Sequence, residues 1–115
     1  MARFMRAHFE GKQYEWCLSV DLTVGNNLKW IERVRTAGWW GRVDDDQVWP
    51  FMLKPGGEID FGGDKETPVP PEIRYASIDL SGRELKLGEL FWVVCEGKRY
   101  RFVLRSLKDI TELVT

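Results

Sequence analysis

Residues that carry chemistry are scarce in this chain. It has one histidine, His8, and two cysteines, Cys17 and Cys95, in 115 residues. That count excludes a zinc site built from histidine and cysteine. A Ser/His/Asp or Cys/His relay would have to run through His8, and no motif around it orients the imidazole. Cys17 and Cys95 lie far apart and lack C-x-x-C spacing. They read as small buried hydrophobes of a reducing compartment. There is no G-x-x-x-x-G-K-[ST], and no G-x-G-x-x-G follows a strand. Gly56-Gly57 has no basic helix start behind it to hold phosphate. Asp44-Asp45-Asp46 is the strongest acidic cluster, but consecutive residues of an extended chain point to opposite sides. It also lacks the D-x-D-x-D-G spacing of a calcium loop. The expectation is therefore no cofactor, no metal and no enzyme.

Long hydrophobic runs are also missing, and none approaches the ~20 residues needed to span a bilayer. The first ten residues, M-A-R-F-M-R-A-H-F-E, contain no signal-type apolar region, which predicts a cytoplasmic protein with no membrane partner. The length suits one core, so residues 1–115 read as a single domain. Composition is that of a globular protein, 43% hydrophobic and 30% charged. The net charge is only −1, unevenly spread. Residues 1–43 carry seven Lys/Arg against four Asp/Glu, residues 44–82 three against nine, and residues 83–115 seven against five. An acidic middle between mildly basic ends suggests one negative face and disfavours a general binder of polyanions.

What the chain does contain is alternation. F-E-G-K-Q-Y-E-W (9–16) and C-E-G-K-R-Y-R-F (95–102) each set E-G-K between alternating apolar residues, a tight-hairpin signal. With Gly11-Lys12 as a two-residue turn, Phe9 faces Tyr14, Ala7 faces Trp16 and Met5 faces Leu18. In the second hairpin Cys95 meets Tyr100, Val93 meets Phe102 and Phe91 meets Leu104. Trp92, Val94, Arg99, Arg101 and Val103 then share the opposite face. Moving the second turn to Glu-Gly keeps these faces, because only an odd shift inverts them. Trp16, Leu18, Val20, Leu22 and Val24 continue one strand with its apolar face buried.

Residues 28–37, L-K-W-I-E-R-V-R-T-A, place Trp30, Ile31, Val34 and Ala37 in one helical sector. Asn26 or Asn27 suits the N-cap and Gly38 the C′ position, predicting a helix over about 27–37. Short strands fit 47–53 and 58–61, with Pro50 at an edge or bend. Residues 62–71 read as a surface loop, and 72–80 and 84–95 as strands. Leu107, Ile110, Leu113 and Val114 suggest a short C-terminal helix over about 107–114. The predicted fold is mainly β (α+β): a strongly bent antiparallel sheet or small barrel of six or seven strands, with those two helices. Residues 82–104 resemble the closing hairpin of translation-factor β-barrel domains, in a glycine before an F-x-V strand and an E-G-K turn. The last strand lacks the glycine pair of that hairpin, and the likeness covers this segment alone.

Six tryptophans remain to be placed. Trp16 and Trp30 fall on core faces. For Trp92, beside Arg99 and Arg101, coverage by the helix is expected. Trp39 and Trp40 cannot both enter one core, and Trp39 is expected inward with Trp40 outward. The segment G-W-W-G-R-V-D-D-D-Q-V-W-P thus supplies a candidate partner-binding set: Trp39, Trp40, Arg42, Asp44, Asp45, Asp46 and Trp49. The favoured reading is a non-catalytic protein-binding module acting through a tryptophan and acidic surface on a basic partner. A small accessory subunit or an inhibitor or immunity-type protein would act in this way. The alternative is a small β-barrel that binds single-stranded nucleic acid through Arg99, Arg101, Arg105 and Trp92, which the net charge disfavours. A tryptophan-lined pocket for a small ligand such as a sugar is a third reading.

Overall fold

Among the described residues eight strands form a meander, and every ladder joins strands consecutive in the chain except the one that pairs the first with the last. They are β1 (Arg3–Gly11), β2 (Trp16–Val24), β3 (Thr36–Arg42), β4 (Val48–Leu53), β5 (Ile59–Asp60), β6 (Ala76–Ile78), β7 (Leu90–Cys95) and β8 (Lys98–Asp109). A 3₁₀ turn, Pro71–Ile73, precedes β6, and one short helix, α1 (Thr111–Val114), ends the chain. The computed structural model describes residues 2–13, 15–42, 46–62 and 69–114. The spatial order is β5-β4-β3-β2-β1-β8-β7-β6, entirely antiparallel in its ladders. Pairing of β1 with β8 brings the two ends of the chain together. Between β5 and β6, among the described residues, a single bridge, Glu58 to Ser77, and the bond from Ile78 N–H to Gly57 O at 2.9 Å join the sheet. The sheet is therefore nearly closed into a barrel, which leaves almost no free strand edge.

The inward positions are those the alternation marks. Met5, Ala7 and Phe9 of β1 and Leu18, Val20, Leu22 and Val24 of β2 are buried. So are Phe91, Val93 and Cys95 of β7 and Phe102 and Leu104 of β8. Aromatic rings fill the interior. Phe9 meets Phe91 edge-on at 5.2 Å, and Trp40 lies 5.7 Å from Phe102, 6.0 Å from Trp16 and 6.3 Å from Phe61. A side-chain-filled interior is what an eight-stranded barrel of this size accommodates.

Two registers differ from the sequence expectation without changing the faces. Phe9 opposes Leu18, not Tyr14, and Ala7 opposes Val20. The cause is that β1 keeps pairing with β8 past the predicted turn: Gly11 opposes Phe102, and Lys12 N–H bonds Arg101 O at 2.8 Å. The connection lengthens and the partner moves from residue 14 to residue 18, an even shift, so every side chain keeps its face. In the second hairpin Cys95 opposes Lys98, and Glu96 (φ 50°) and Gly97 (φ 80°) form the turn. Positive φ at both central residues matches a type I′ turn, whose twist suits the flanking strands.

The helix expected at 27–37 is absent. Leu28 takes φ 58° in a tight turn, and Asn27 Oδ1 accepts the N–H of Lys29 at 3.1 Å instead of capping a helix. Trp30 then bridges Val24, Ile31 N–H bonds Thr23 O at 2.8 Å, and Lys29 bridges Glu84. From Thr36 the chain is β3. A lone ten-residue helix is marginal in water, and sheet partners here satisfy the same backbone groups while burying Trp30.

The C-terminal helix is also shorter than expected, because β8 runs on to Asp109. Between His8–Ser106 and Phe9–Leu104 the β1–β8 register slips by one, leaving Arg105 as the extra residue of a bulge. The bulge turns both Leu104 and Leu107 toward the core, so Leu107, expected as the first core position of the helix, lies in β8 instead.

Candidate docking face

Alternation divides the Trp39–Trp49 region between the inside and the outside of the barrel. Trp40 opposes Leu18 on β2 and Trp49 on β4, and both tryptophans point inward. Trp40 is 1% exposed and Trp49 is buried. Trp39, opposite Ser19 and Pro50, points outward and is 38% exposed. The expected order is thus reversed, and Trp40 and Trp49 leave the candidate set for the core. Which ring goes inward is decided by register against Leu18, information that lies in β2 and not in the W-W pair.

The outward positions of β3 are Ala37, Trp39 and Gly41, and those of β4 are Val48, Pro50 and Met52. Not one of the six is polar. Val48 is 53% and Met52 42% exposed. Gly41 makes room for the indole: a Cβ there would meet Trp39 Cζ3 and Val48 Cγ1 at 3.3 Å. The Trp39 ring also lies 5.7 Å from His8 across the strands. A shallow depression of about 320 Å3 beside it is lined by Arg6, Ser19, Asp21, Ala37, Gly38 and Trp39.

Charged side chains flank this face on two sides. Toward β1, the Arg6 guanidinium donates to both Asp21 oxygens, at 2.8 and 3.1 Å. That carboxylate raises the Arg6 pKa through the hydrogen bonds and the opposite charge. Toward β5, Lys54 Nζ is 3.3 Å from Asp60. The Gly62 N–H, and then Lys54, hold the Asp60 carboxyl below its usual range. Asp46 is exposed in the β3–β4 connection, while Asp44 and Asp45 lie outside the described residues. Arg42 does not reach the face: its guanidinium sits 4.7 Å from the Trp16 ring centroid, and its Nε has no hydrogen-bond partner among the described residues.

The other candidates separate clearly. His8 is not isolated, since its Nε2 is 3.6 Å from Glu10 Oε1 and its ring faces Trp39. Cys17 is buried on the same outer surface, where burial and then Glu10 push its thiol pKa up. A raised pKa keeps the thiol protonated at neutral pH, the opposite of what a nucleophile needs. Cys95 points inward from β7, and burial pushes it up to about 11. Both cysteines are free. Among the described residues no group of three or more His, Cys, Asp or Glu is placed to hold a metal, and no helix is long and apolar enough to cross a membrane. A cavity of about 20 Å3 beside Trp16, Trp40 and Phe102 has room for about one water molecule and not for a sugar.

Trp92 is not covered by a helix. It stands 38% exposed on the outer face of β7, with Arg99 and Arg101 5.8 and 5.7 Å from its ring centroid. Arg105, grouped with them in sequence, is held apart by the bulge and lies 3.7 Å from Glu10.

Sequence reasoning missed Ala37, Val48, Pro50 and Met52. The signal was present: Q-V-W-P-F-M-L is apolar at both parities, which in a sheet with one interior leaves an apolar face outside. No protein-family model matches the chain, and neither the curated proteins nor the solved structures contain a significant match to it.

Proposed function

We propose that this protein is a non-catalytic binding module whose outer β3–β4 face docks onto a partner protein. The observation that carries the reading is the run of six outward positions, Ala37, Trp39, Gly41, Val48, Pro50 and Met52, without one polar side chain. At strand spacings of ~3.3 Å per residue and ~4.8 Å between strands, the patch covers on the order of 200 Å2. A stable interface takes ~800 Å2 per partner, so the patch is the apolar centre and the flanking charges complete the contact. Trp39 has the properties of an anchor: a large ring, partly exposed, that lies over Gly41 and beside the tilted ring of His8.

The partner this face fits is basic around an apolar pocket. Asp46, exposed in the β3–β4 connection and preceded in sequence by two further aspartates, would meet its positive rim. With such a partner in hand, titration calorimetry of Trp39→Ala is expected to show a loss of roughly 2 kcal/mol or more. Neutralising Asp44, Asp45 and Asp46 together is expected to slow association, with added salt shrinking the effect. Unchanged affinity in Trp39→Ala would refute the assignment of the face. An inhibitor or accessory subunit acts in this way, by covering a surface.

A further inference from the structure

The opposite wall of the barrel carries a second feature that the docking face leaves unused. On the outer surface of β7–β8, Trp92 directly opposes Arg101, with Arg99 on the diagonal. The β1–β2 connection is stitched onto this wall by the bond from Lys12 N–H to Arg101 O. Lys12 and Gln13 thereby border the same cleft as the tryptophan. The cleft measures about 360 Å3 and is lined by Lys12, Gln13, Trp92, Arg99 and Arg101.

Its charge is of one sign, whereas several other cations of the surface are paired. Arg3, Arg6, Lys54, Arg83, Lys86 and Arg105 each lie beside a carboxylate. Among the described residues no carboxylate pairs with Lys12, Arg99 or Arg101. Asp79 touches this strand but is already committed: Oδ1 accepts the Trp92 N–H at 2.7 Å and Oδ2 accepts from Arg83 at 3.1 Å. Three like charges around one aromatic ring repel each other until an anion neutralises them. Guanidinium forks match phosphate oxygens two at a time, and an indole face stacks on a planar ring.

We propose that this cleft binds a nucleoside phosphate, with the base against Trp92 and the phosphate held by Arg99, Arg101 and Lys12. Its volume matches the lower end of small-ligand sites, enough for about one nucleotide. A longer strand gains little, because the next cation along β8, Arg105, is occupied by Glu10 and the chain is net negative. The same chemistry could reach the cleft as a free nucleotide or as one unit of a single strand, and the test separates them.

The experiment follows the Trp92 indole resonance and the heat of binding with four probes: AMP, ATP, inorganic phosphate and a ten-residue oligothymidylate. The expected result is saturable binding of AMP and ATP that shifts the Trp92 signal. Trp92→Ala weakens nucleotide binding by on the order of tenfold, within the range for one stacked base, and leaves inorganic phosphate binding unchanged. Arg99→Ala with Arg101→Ala abolishes both, while Arg99→Lys with Arg101→Lys retains part, which shows a folded protein that has lost only its forks. Oligothymidylate binds no more tightly per nucleotide than AMP. Absence of nucleotide binding at about 10 mM, or a Trp92→Ala variant that binds AMP like the wild type, would overturn the proposal; the first limit is the weak end of useful affinity. Oligothymidylate binding that is far tighter per nucleotide, with a steep salt slope, would overturn it in favour of a strand-binding surface. Trp92 and Trp39 lie on opposite walls, so failure of this site leaves the docking face untouched.

Discussion

Barrel closure between β5 and β6 rests on very few atoms, and two adjacent glycines test it. Gly56 (φ 89°) and Gly57 (φ 93°) have nearly equal positive φ. A Cβ on either takes the chain into a region that costs ~1–2 kcal/mol for an L-residue. At Gly56 nothing lies within 4 Å, so Gly56→Ala is expected to cost that amount and no more. At Gly57 the Cβ would stand 2.1 Å from Ile78 O, a backbone atom of β6 that has no side-chain freedom with which to retreat. The seam must open. The bond from Ile78 N–H to Gly57 O is lost, worth ~1 kcal/mol, and the Glu58–Ser77 bridge beside it is strained. Gly57→Ala is therefore expected to cost about 2–3 kcal/mol from the backbone conformation and the lost bond together, and the strained bridge adds to it. Urea denaturation of the two variants measures the difference, and hydrogen exchange at the Ile78 amide reports the seam directly. That amide should exchange much faster in Gly57→Ala than in Gly56→Ala. Equal losses in the two variants, or an unchanged Ile78 amide, would refute the view that this contact closes the barrel.

Other outcomes follow from burial and charge. Trp40→Ala removes a fully enclosed ring and is expected to destabilise the fold by ~3–5 kcal/mol, a large share of the ~5–15 kcal/mol available to a small domain. Trp39→Ala, which removes a half-exposed ring, is expected to cost ~1 kcal/mol or less; thermal melts that rank the two in reverse would contradict the register. Cys95 is 4% exposed and its thiol is raised from 9.0 to about 11. A raised value for an acid means that the folded state holds its proton longer than the unfolded chain. The contribution is therefore complete below pH ~9 and is lost as pH climbs from ~9 through ~11, by up to roughly 3 kcal/mol. Measured across that window, Cys95→Ala should lose less stability than the wild type, and parallel curves for the two proteins would count against this burial.

Much of the barrel is written in the alternation. Phe9, Leu18, Val20, Phe91, Val93 and Phe102 all face inward as the pattern requires. The pattern tolerates the misplaced first turn because the register moved by an even number of residues. Local signals failed where a distant partner decides. Trp30 fits a helix by spacing, yet its burial comes from bridging Val24. Leu107 and Ile110 fit a helix by spacing, yet β8 runs on past Leu107 to Asp109 along β1. Strands β5 and β6 fall within the expected strands 58–61 and 72–80 but are only two and three residues long. The candidate site was half legible. A tryptophan at the surface of the β3–β4 hairpin follows from the W-W pair, but its identity as Trp39 depends on Leu18 opposite Trp40. The neighbouring apolar positions were concealed by a strand that reads as buried on both faces. Exposure of Trp92 depended on the absence of the helix expected to cover it.

The claim that the β3–β4 face is a docking surface is tested most directly by quantitative capture from the native host. The wild type is compared with the Trp39→Ala, Met52→Ala double variant and with Trp92→Ala, each shown beforehand to keep its fold by circular dichroism. The account predicts a basic protein recovered by the wild type and by Trp92→Ala, and depleted at least about tenfold in the double variant, which corresponds to ~1.4 kcal/mol or more. Equal recovery by all three proteins, or recovery of nothing but further copies of this chain, would contradict it.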